Sequence, residues 1–119
     1  MADLFRSKEL AKKYKTHRDS GMMDRGCVLC KAEPIQTFKH WKVIPNLFPY
    51  DLVAKTHHML ITLRHVKDSE LNSDEIEELA EIKADYVQQY DYIQEATNRT
   101  KSIPQHFHLH LIIGKQLGT

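Results

Sequence analysis

The chain has 119 residues, the length of one globular domain. Its 41% hydrophobic and 28% charged residues are ordinary for a soluble globular protein. The 17 Lys and Arg residues nearly balance the 16 Asp and Glu residues, so the net charge of +1 does not indicate a nucleic-acid, membrane or acidic partner. The 8 histidines are the unusual feature of the composition.

The sequence contains no run approaching the roughly 18 apolar residues of a membrane-spanning helix, and residues 1–6 lack the apolar core of a secretory signal. We therefore expect a cytoplasmic protein with no membrane partner. In that compartment, two cysteines three positions apart favour metal ligands or a redox pair over a structural disulfide.

The N-terminal part of the chain predicts a helix followed by a cysteine pair. Residues 3–16 are rich in helix formers, and Ser20-Gly21 breaks the pattern. Cys27 and Cys30 then have the Cys-x-x-Cys spacing at which two thiolates of one turn can bind a single zinc ion. A thioredoxin-like redox site would need a βαβ context, which this region lacks.

The middle of the chain predicts two strands. Residues 38–44 combine aromatic and β-branched side chains, which strands favour, and Pro45 ends the run. A loop follows at 46–51. Residues 58–63 are too apolar for a surface edge, so we expect their strand at the centre of the sheet.

The clearest helix signal begins at Asn72, a predicted N-cap whose capping-box partner is Glu75. We predict a helix over about 73–90 and a strand at roughly 91–97. The predicted buried stripe of the helix consists of Ile76, Leu79, Ala80, Lys83, Tyr86, Val87 and Tyr90.

The most informative stretch is 106–113, in which imidazoles alternate with large apolar side chains. Histidines occupy positions 106, 108 and 110, and Phe107, Leu109 and Leu111 follow them in turn. Successive side chains of a strand point to opposite faces, so the stretch predicts a strand with one apolar, buried face. The other face carries three imidazoles about 7 Å apart. A helix would spread the same histidines without forming an amphipathic stripe.

Three aligned imidazoles have several explanations. A solvated strand face tolerates a single histidine, but strict alternation makes that explanation weak for three. Two chemical explanations stay open on the residues alone. One is a transition-metal site of neutral imidazoles, and the other is a nucleophile whose neighbours tune its protonation.

Four motifs together resemble the histidine triad (HIT) family of nucleotide hydrolases and transferases. Residues 106–112 match its signature of His, apolar, His, apolar, His, apolar, apolar. Residues 57–66 resemble its segment of His, apolar strand and Arg-His-Val, with Thr62 where proline is usual. The Cys-x-x-Cys pair and Asn46-x-x-Pro49 complete a resemblance that runs from about residue 27 to residue 113.

The resemblance implies an α+β fold for the whole chain. We expect residues 1–119 to form one HIT-like domain, with residues 1–20 as a helical extension. An antiparallel sheet of about five strands, one main helix at about 73–90 and an N-terminal helix would compose it. Family members pair into a continuous two-subunit sheet, so the resemblance also implies a homodimer.

The resemblance further implies a structural zinc ion. In the zinc-containing branch of the family, the ligands correspond by position to Cys27, Cys30, His65 and His106. Such a site would attach the N-terminal segment to the strand that carries the triad. An alternative stays open, in which His106 binds no metal, donates a hydrogen bond to a carbonyl group and holds His108 in place.

The resemblance implies covalent catalysis on a nucleotide. His108 would attack the α-phosphorus and form a nucleotidyl-histidine intermediate, which water then resolves. His110 would contact the scissile phosphate and assist the leaving group. His106 and His57 complete the predicted catalytic set, and His58 would replace His57 if the strand register differed by one residue.

The resemblance also implies nucleotide contacts. Asn46 occupies the position of a ribose-binding residue, and Phe48 is a candidate for the base pocket, with core packing as its alternative role. Ser102 and Gln105 are candidates to donate hydrogen bonds to phosphate. The family usually has a glycine-rich turn before the triad, whereas the loop 98–105 is shorter and contains no glycine.

Several functions therefore compete. The first is hydrolysis of nucleoside phosphoramidates or dinucleoside polyphosphates, with Arg99 or Lys101 substituting for the glycine-rich turn. The second is a nucleotide-binding or regulatory module with weak catalysis. The third is nucleotidyl transfer, which ranks below hydrolysis because related uridylyltransferases have Gln where His110 stands. A catalytic metal held by the three histidines of the triad is a further alternative.

Overall fold

The computed structural model of the protein describes residues 5–19, 27–97, 99 and 103–116. Its centre is a five-stranded sheet in the order β1-β2-β3-β5-β4, and every pair of neighbouring strands is antiparallel. The strands are β1 Gln36–Thr37, β2 Trp41–Pro45, β3 Ala54–Thr62, β4 Tyr92–Gln94 and β5 His108–Gly114. The α-helices are α1 Lys8–Asp19, α2 Val28–Lys31 and α3 Ser73–Ala84. Short 3-10 helices cover Asp68–Glu70 and Tyr86–Gln89. The predicted α+β class and five-stranded antiparallel sheet are confirmed.

Strands β3 and β5 lie side by side and create two different faces. Met59 lies opposite His110, and Ile61 lies opposite His108. Because side chains alternate along a strand, these residues share one face of the sheet with His57. The opposite face carries Leu60, Leu109 and Leu111, which are all buried.

Helix α3 and the 3-10 helix that follows it cover the apolar face. The buried core there consists of Trp41, Val43, Leu60, Ile82, Val87, Tyr90, Phe107, Leu109 and Leu111. The Trp41 indole N–H donates to the carbonyl oxygen of Glu75 at 3.0 Å, which joins β2 to the helix. The predicted capping box is present. Asn72 accepts from the Glu75 N–H at 2.8 Å, and the Glu75 carboxylate accepts from the Asn72 N–H at 2.9 Å.

The predicted length of this helix is wrong. The α-helix ends at Ala84 because the backbone of Asp85, with φ −126° and ψ −81°, leaves helical geometry. The chain then continues as the 3-10 helix Tyr86–Gln89. This change of geometry, rather than a continuous helical stripe, brings Val87 and Tyr90 into the core.

The predicted buried stripe is wrong at three positions, since Ile76, Ala80 and Lys83 are exposed. The buried helical residues are instead Glu75 and Ile82. Burial of Glu75 is compatible with its charge because its carboxylate pairs with the Arg64 guanidinium at 2.6 Å. The buried face of the helix therefore differs from the face that hydrophobicity alone predicts.

Helix α1 also differs from its predicted bounds of 3–16. It begins at Lys8 because the Ser7 hydroxyl accepts a hydrogen bond from the Leu10 N–H at 3.2 Å, as an N-cap does. It ends at Asp19. Among the residues that the structure describes, no helix has the length and apolar character needed to cross a membrane.

The strand bounds shift as well. β2 begins at Trp41 because the Phe38 N–H donates to the Trp41 carbonyl at 2.7 Å and closes a turn between β1 and β2. β3 begins earlier than predicted, at Ala54, and β4 is limited to Tyr92–Gln94. β5 begins at His108, so His106, the first histidine of the triad, lies two residues before the strand. The central position of β3 is confirmed, since β2 and β5 flank it.

The imidazole face of the sheet is buried as well. His106, His108 and His110 are 0%, 6% and 5% exposed. A second core cluster covers part of this face and consists of Leu29, Ile44, Met59 and Ile61. Leu29 belongs to α2, so the chain before the sheet covers the triad instead of extending away from it.

Candidate functional site

A cavity opens on the imidazole face between the sheet and the N-terminal segment. Its empty volume is about 690 Å³, including open solvent at its mouth. Most lining residues are apolar, and they include Leu29, Ile44 and Met59. The lining residues that carry polar side-chain groups are Arg6, Tyr14, His17, Asn46, Tyr50, His108 and His110. The structure therefore places two of the three triad histidines in one concave site.

The tautomer of His108 follows from its backbone partner. Its Nδ1 lies 2.9 Å from the carbonyl oxygen of His106. A carbonyl oxygen only accepts, so Nδ1 carries the proton of the neutral ring and Nε2 holds the lone pair. Because the ring lines the cavity, His108 has the electronic form of a nucleophile there.

A chain of hydrogen bonds sets the tautomer of His110. The backbone N–H of Tyr50 donates to Nδ1 of His57 at 3.0 Å, so the neutral His57 ring carries its proton on Nε2. That nitrogen lies 2.8 Å from Nδ1 of His110 and donates to it. His110 consequently carries its own proton on Nε2, 3.4 Å from the Tyr50 hydroxyl oxygen. It can therefore donate a hydrogen bond on the cavity side.

Burial keeps both rings of this chain neutral. Desolvation, with smaller contributions from Arg6 and His58, lowers the pKa of His57 from 6.5 to about 4. Desolvation, followed by the charges of His108, His57 and Arg6, lowers the pKa of His110 to about 3. Neutral rings are what the chain of hydrogen bonds requires, since a protonated ring has no accepting nitrogen.

These lowered pKa values predict acid destabilisation. An unfolded imidazole binds a proton near pH 6.5, whereas folded His57 stays neutral down to about pH 4, so unfolding takes up protons in this interval and stability falls as the pH falls. At pH 5 we expect each ring to reduce the free energy of unfolding by about 2 kcal/mol relative to pH 7. Urea denaturation at both pH values measures the effect.

The variant His57→Asn provides the comparison for this prediction. It lacks one of the two rings, so its loss of stability between pH 7 and pH 5 should be smaller than that of the wild type. Acid release of a metal would lower the stability of the wild type and of His57→Asn equally, so it cancels when the two losses of stability are compared. An equal loss in the two proteins would contradict the prediction.

The predicted ribose and base residues also reach the cavity. The Asn46 side-chain oxygen accepts from the Phe48 N–H at 2.8 Å, and its amide nitrogen lies 3.4 Å from Nε2 of His57. The Phe48 ring packs against Tyr14 and His17 of α1, with ring centroids 5.2 and 5.1 Å apart. Phe48 is thus both a lining residue of the cavity and part of the contact with α1.

Other predicted residues have different positions. Gln105 is exposed and is not a lining residue of the described cavity. Ser102 and Lys101 lie outside the described residues, and Arg99 is exposed. His58 points to the opposite face of the sheet, where its Nδ1 lies 2.6 Å from the Tyr90 hydroxyl oxygen. His57, not His58, is therefore the histidine beside the triad.

The sequence analysis missed the contribution of the N-terminal segment. Arg6, Tyr14 and His17 all line the cavity. Tyr14 and His17 are three positions apart and so share one face of α1, which is a signal that the sequence contains. Nothing in the sequence shows which surface that helix face contacts.

The four predicted zinc ligands converge at one point. The sulfur atoms of Cys27 and Cys30 each lie 3.4 Å from Nδ1 of His106. Cys30 Sγ also lies 3.4 Å from Nδ1 of His65, and the four donor atoms lie within 4.8 Å of one another. Tetrahedral zinc with ordinary Zn–S and Zn–N bonds separates sulfur from nitrogen by about 3.5 Å. The donor set therefore fits zinc in chemistry and spacing.

The surroundings of the cluster support this fit. His106 Nε2 lies 2.7 Å from the Thr62 carbonyl oxygen and donates to it, which directs the Nδ1 lone pair toward the thiols. Burial, followed by the neighbouring Cys27 thiol, raises the pKa of Cys30. Two adjacent thiolates therefore need a cation between them. The carbonyl contact proposed as the alternative role of His106 is compatible with metal binding.

The triad itself does not form a metal site. Nδ1 of His106 faces the thiols, Nδ1 of His108 donates to a carbonyl, and Nδ1 of His110 accepts from His57. Within the described ranges, the group with the spacing of metal ligands is Cys27, Cys30, His65 and His106. The alternative of a catalytic metal on the three histidines is not supported.

Comparison with known proteins gives a match in structure. No protein-family model matches the sequence, and no curated protein matches it. Among solved structures, the fold is similar to a crystal structure of a HIT family hydrolase from Legionella pneumophila Philadelphia 1. The TM-score is 0.58 at 24% sequence identity, and the match covers 76% of this chain and 95% of that chain. Similarity at this identity establishes the fold, and this chain therefore has a HIT-like fold.

Proposed function

We propose that this protein is a nucleotidyl hydrolase that acts at the α-phosphate of a nucleotide conjugate through a covalent nucleotidyl-His108 intermediate. The observation that carries the proposal is the pair of opposite tautomers in one cavity. His108 holds a lone pair on Nε2, and His110 holds a proton on Nε2. A nucleophile and a hydrogen-bond donor therefore flank the same space.

The reaction follows from these two rings. Nε2 of His108 attacks the α-phosphorus, and the bond from phosphorus to the leaving oxygen or nitrogen breaks. His110 donates a hydrogen bond from its Nε2–H to the departing atom and stabilises the negative charge that develops there. A phosphate leaving group departs as an anion, and an amine leaving group takes its proton from solvent water. The carbonyl of His106 accepts from Nδ1 of His108 and stabilises the positive charge that develops on the ring.

Water completes the cycle. A water molecule attacks the phosphorus, the P–N bond to Nε2 of His108 breaks, and the proton lost by the attacking water passes to solvent. The products are a nucleoside monophosphate and the neutral rings from which the reaction began. His57 maintains this cycle because it donates to Nδ1 of His110 and keeps the exchangeable proton on Nε2.

The nucleotide contacts belong to the same proposal. Asn46 would bind the ribose and Phe48 would line the base pocket, which is consistent with their positions at the cavity. Ser102 stays a prediction for a phosphate contact. The exposed position of Gln105 gives no support to its predicted phosphate contact.

We propose a structural role for zinc bound by Cys27, Cys30, His65 and His106. Zinc would supply a cross-link between α2, the segment after β3 and the start of β5. His106 both belongs to this cluster and accepts from His108 through its carbonyl oxygen. The cross-link would therefore fix the position of the nucleophile without taking part in a chemical step.

The experiment that tests the function is incubation with a panel of adenosine and guanosine phosphoramidates and dinucleoside polyphosphates, followed by measurement of the intact protein mass. We expect a nucleoside monophosphate product and a transient mass increase of one nucleotidyl group. Tight AMP binding by calorimetry without turnover would favour the nucleotide-binding module. Transfer of the nucleotidyl group to an added acceptor in place of water would favour the transferase.

The homodimer and the cytoplasmic location stay predictions. Size-exclusion chromatography with light scattering measures the first, and fractionation of cells that express the protein measures the second.

A further inference from the structure

The N-terminal segment is anchored beside the catalytic histidines. The Leu52 N–H donates to the Phe5 carbonyl at 3.0 Å, and the Ser7 N–H donates to the Asp51 carboxylate at 2.7 Å. Both contacts join the segment to the loop between β2 and β3. They flank Arg6 on either side and so fix its backbone at the cavity wall.

The Arg6 side chain is held in place by three further contacts. Its guanidinium carbon lies 4.3 Å from the ring centroid of Tyr14 and 4.9 Å from that of Tyr50. Its Nε donates to the carbonyl oxygen of Phe48 at 2.6 Å. Contacts with two aromatic rings and a carbonyl orient the planar group and reduce the entropy that it would lose on binding an anion.

Arg6 also supplies a charge that the rest of the described cavity lacks. Among the described lining residues it is the one Lys, Arg, Asp or Glu side chain. Its positive charge contributes to the lowered pKa of both His57 and His110, which lie on the side of Tyr50. The guanidinium therefore acts on the His110 side of the cavity, where the proposed mechanism places the leaving group.

We propose that Arg6 determines specificity by binding the negative charge of the leaving group, so that the site prefers conjugates whose leaving group begins with a phosphate. This inference rests on the proposed function. A phosphate attached to the α-phosphorus would meet the guanidinium, whereas an uncharged amine would not. Most of the lining residues are apolar, and an apolar environment strengthens such a charge-assisted attraction.

The test compares two ligands that differ by one phosphate and that the enzyme does not turn over. Calorimetry measures the association constants of AMP and of adenosine 5′-(α,β-methylene)diphosphate for the wild type and for Arg6→Gln. We expect the wild type to bind the diphosphate analogue more tightly. In the variant, the ratio of the two association constants should fall about tenfold or more, as loss of a charge-assisted hydrogen bond implies. The ratio of kcat/KM for diadenosine tetraphosphate and adenosine phosphoramidate should fall in the same way.

Two further variants distinguish the effect of the Arg6 charge from a structural effect of its side chain. Lys12→Gln removes a cation from an exposed position of the same segment and should keep the wild-type ratio. Arg6→Lys keeps the charge but loses the planar group, so it should recover most of the ratio, whereas a purely structural role of the guanidinium would not be recovered.

The remaining outcomes overturn the inference in distinguishable ways. An equal loss of affinity for both ligands would assign Arg6 to a contact common to both ligands or to packing. A wild-type protein that binds AMP and forms the nucleotidyl adduct, but does not distinguish the two ligands, would refute the role of Arg6 alone. A wild-type protein that binds neither ligand and forms no adduct would refute the proposed function together with it.

Discussion

Replacing His108 with alanine should lower kcat/KM for a nucleotide conjugate by at least about 10⁴-fold, because the substitution removes the nucleophile and with it the covalent pathway. The methyl group leaves space for water, but a water molecule there lacks the oriented lone pair that the His106 carbonyl fixes on the imidazole. Steady-state kinetics measures the loss. Intact-mass measurement should show no nucleotidyl adduct.

The His108→Ala substitution should impair catalysis and leave metal binding unchanged. The ring of His108 bonds to a backbone carbonyl rather than to the side chain of His106, so the metal content should match that of the wild type. His58→Asn is the matched control. It removes an imidazole from the opposite face of the sheet, where His58 contacts Tyr90, and kcat/KM should stay within about threefold of the wild-type value. An adduct that still forms on His108→Ala would place the nucleophile elsewhere.

Sequence reasoning succeeded where the determining contacts are local. The capping box of Asn72 and Glu75 joins residues three positions apart, and the alternation around His108 depends only on the geometry of a strand. The Cys27 and Cys30 pair lies on a single turn. Such signals do not depend on knowing the tertiary structure, so they can be read from the sequence.

The same reasoning failed where the structure depends on contacts between residues that are far apart in the sequence. The buried face of α3 includes Glu75, whose carboxylate pairs with Arg64, and a hydrophobic pattern does not predict burial of a charged residue. The tautomer of His110 depends on a backbone N–H of Tyr50 that acts through His57. Backbone groups occur at nearly every residue, so only their positions in space reveal this role.

The position of a whole element, the N-terminal segment, also depends on contacts between residues that are far apart in the sequence. Its helical character was predicted, but the contacts that place Arg6 in the cavity reach Phe48, 42 residues away in the chain. The structure makes the segment one wall of the candidate site.

Replacing Cys27 with alanine should abolish binding of the proposed zinc ion and lower the free energy of unfolding by at least about 3 kcal/mol. Its sulfur lies 3.4 Å from the ring of His106, which is 79 residues away in the chain. A metal whose site forms only when the fold brings such distant segments together contributes its binding free energy to the folded state, so its loss should have a large effect on stability. Elemental analysis and urea denaturation measure the two changes.

A chelator distinguishes the effect of metal loss on stability from the effect of losing the Cys27 side chain itself. A strong chelator should destabilise the wild type but leave the stability of Cys27→Ala unchanged, because the variant has no zinc to lose. His65→Ala should behave like the cysteine variant, whereas His40→Ala, which makes the same change outside the cluster, should retain one zinc per chain. Since His106 is both a ligand and the carbonyl partner of His108, zinc loss should also slow adduct formation. Full zinc content in Cys27→Ala, or a wild-type protein without zinc, would refute the structural metal site.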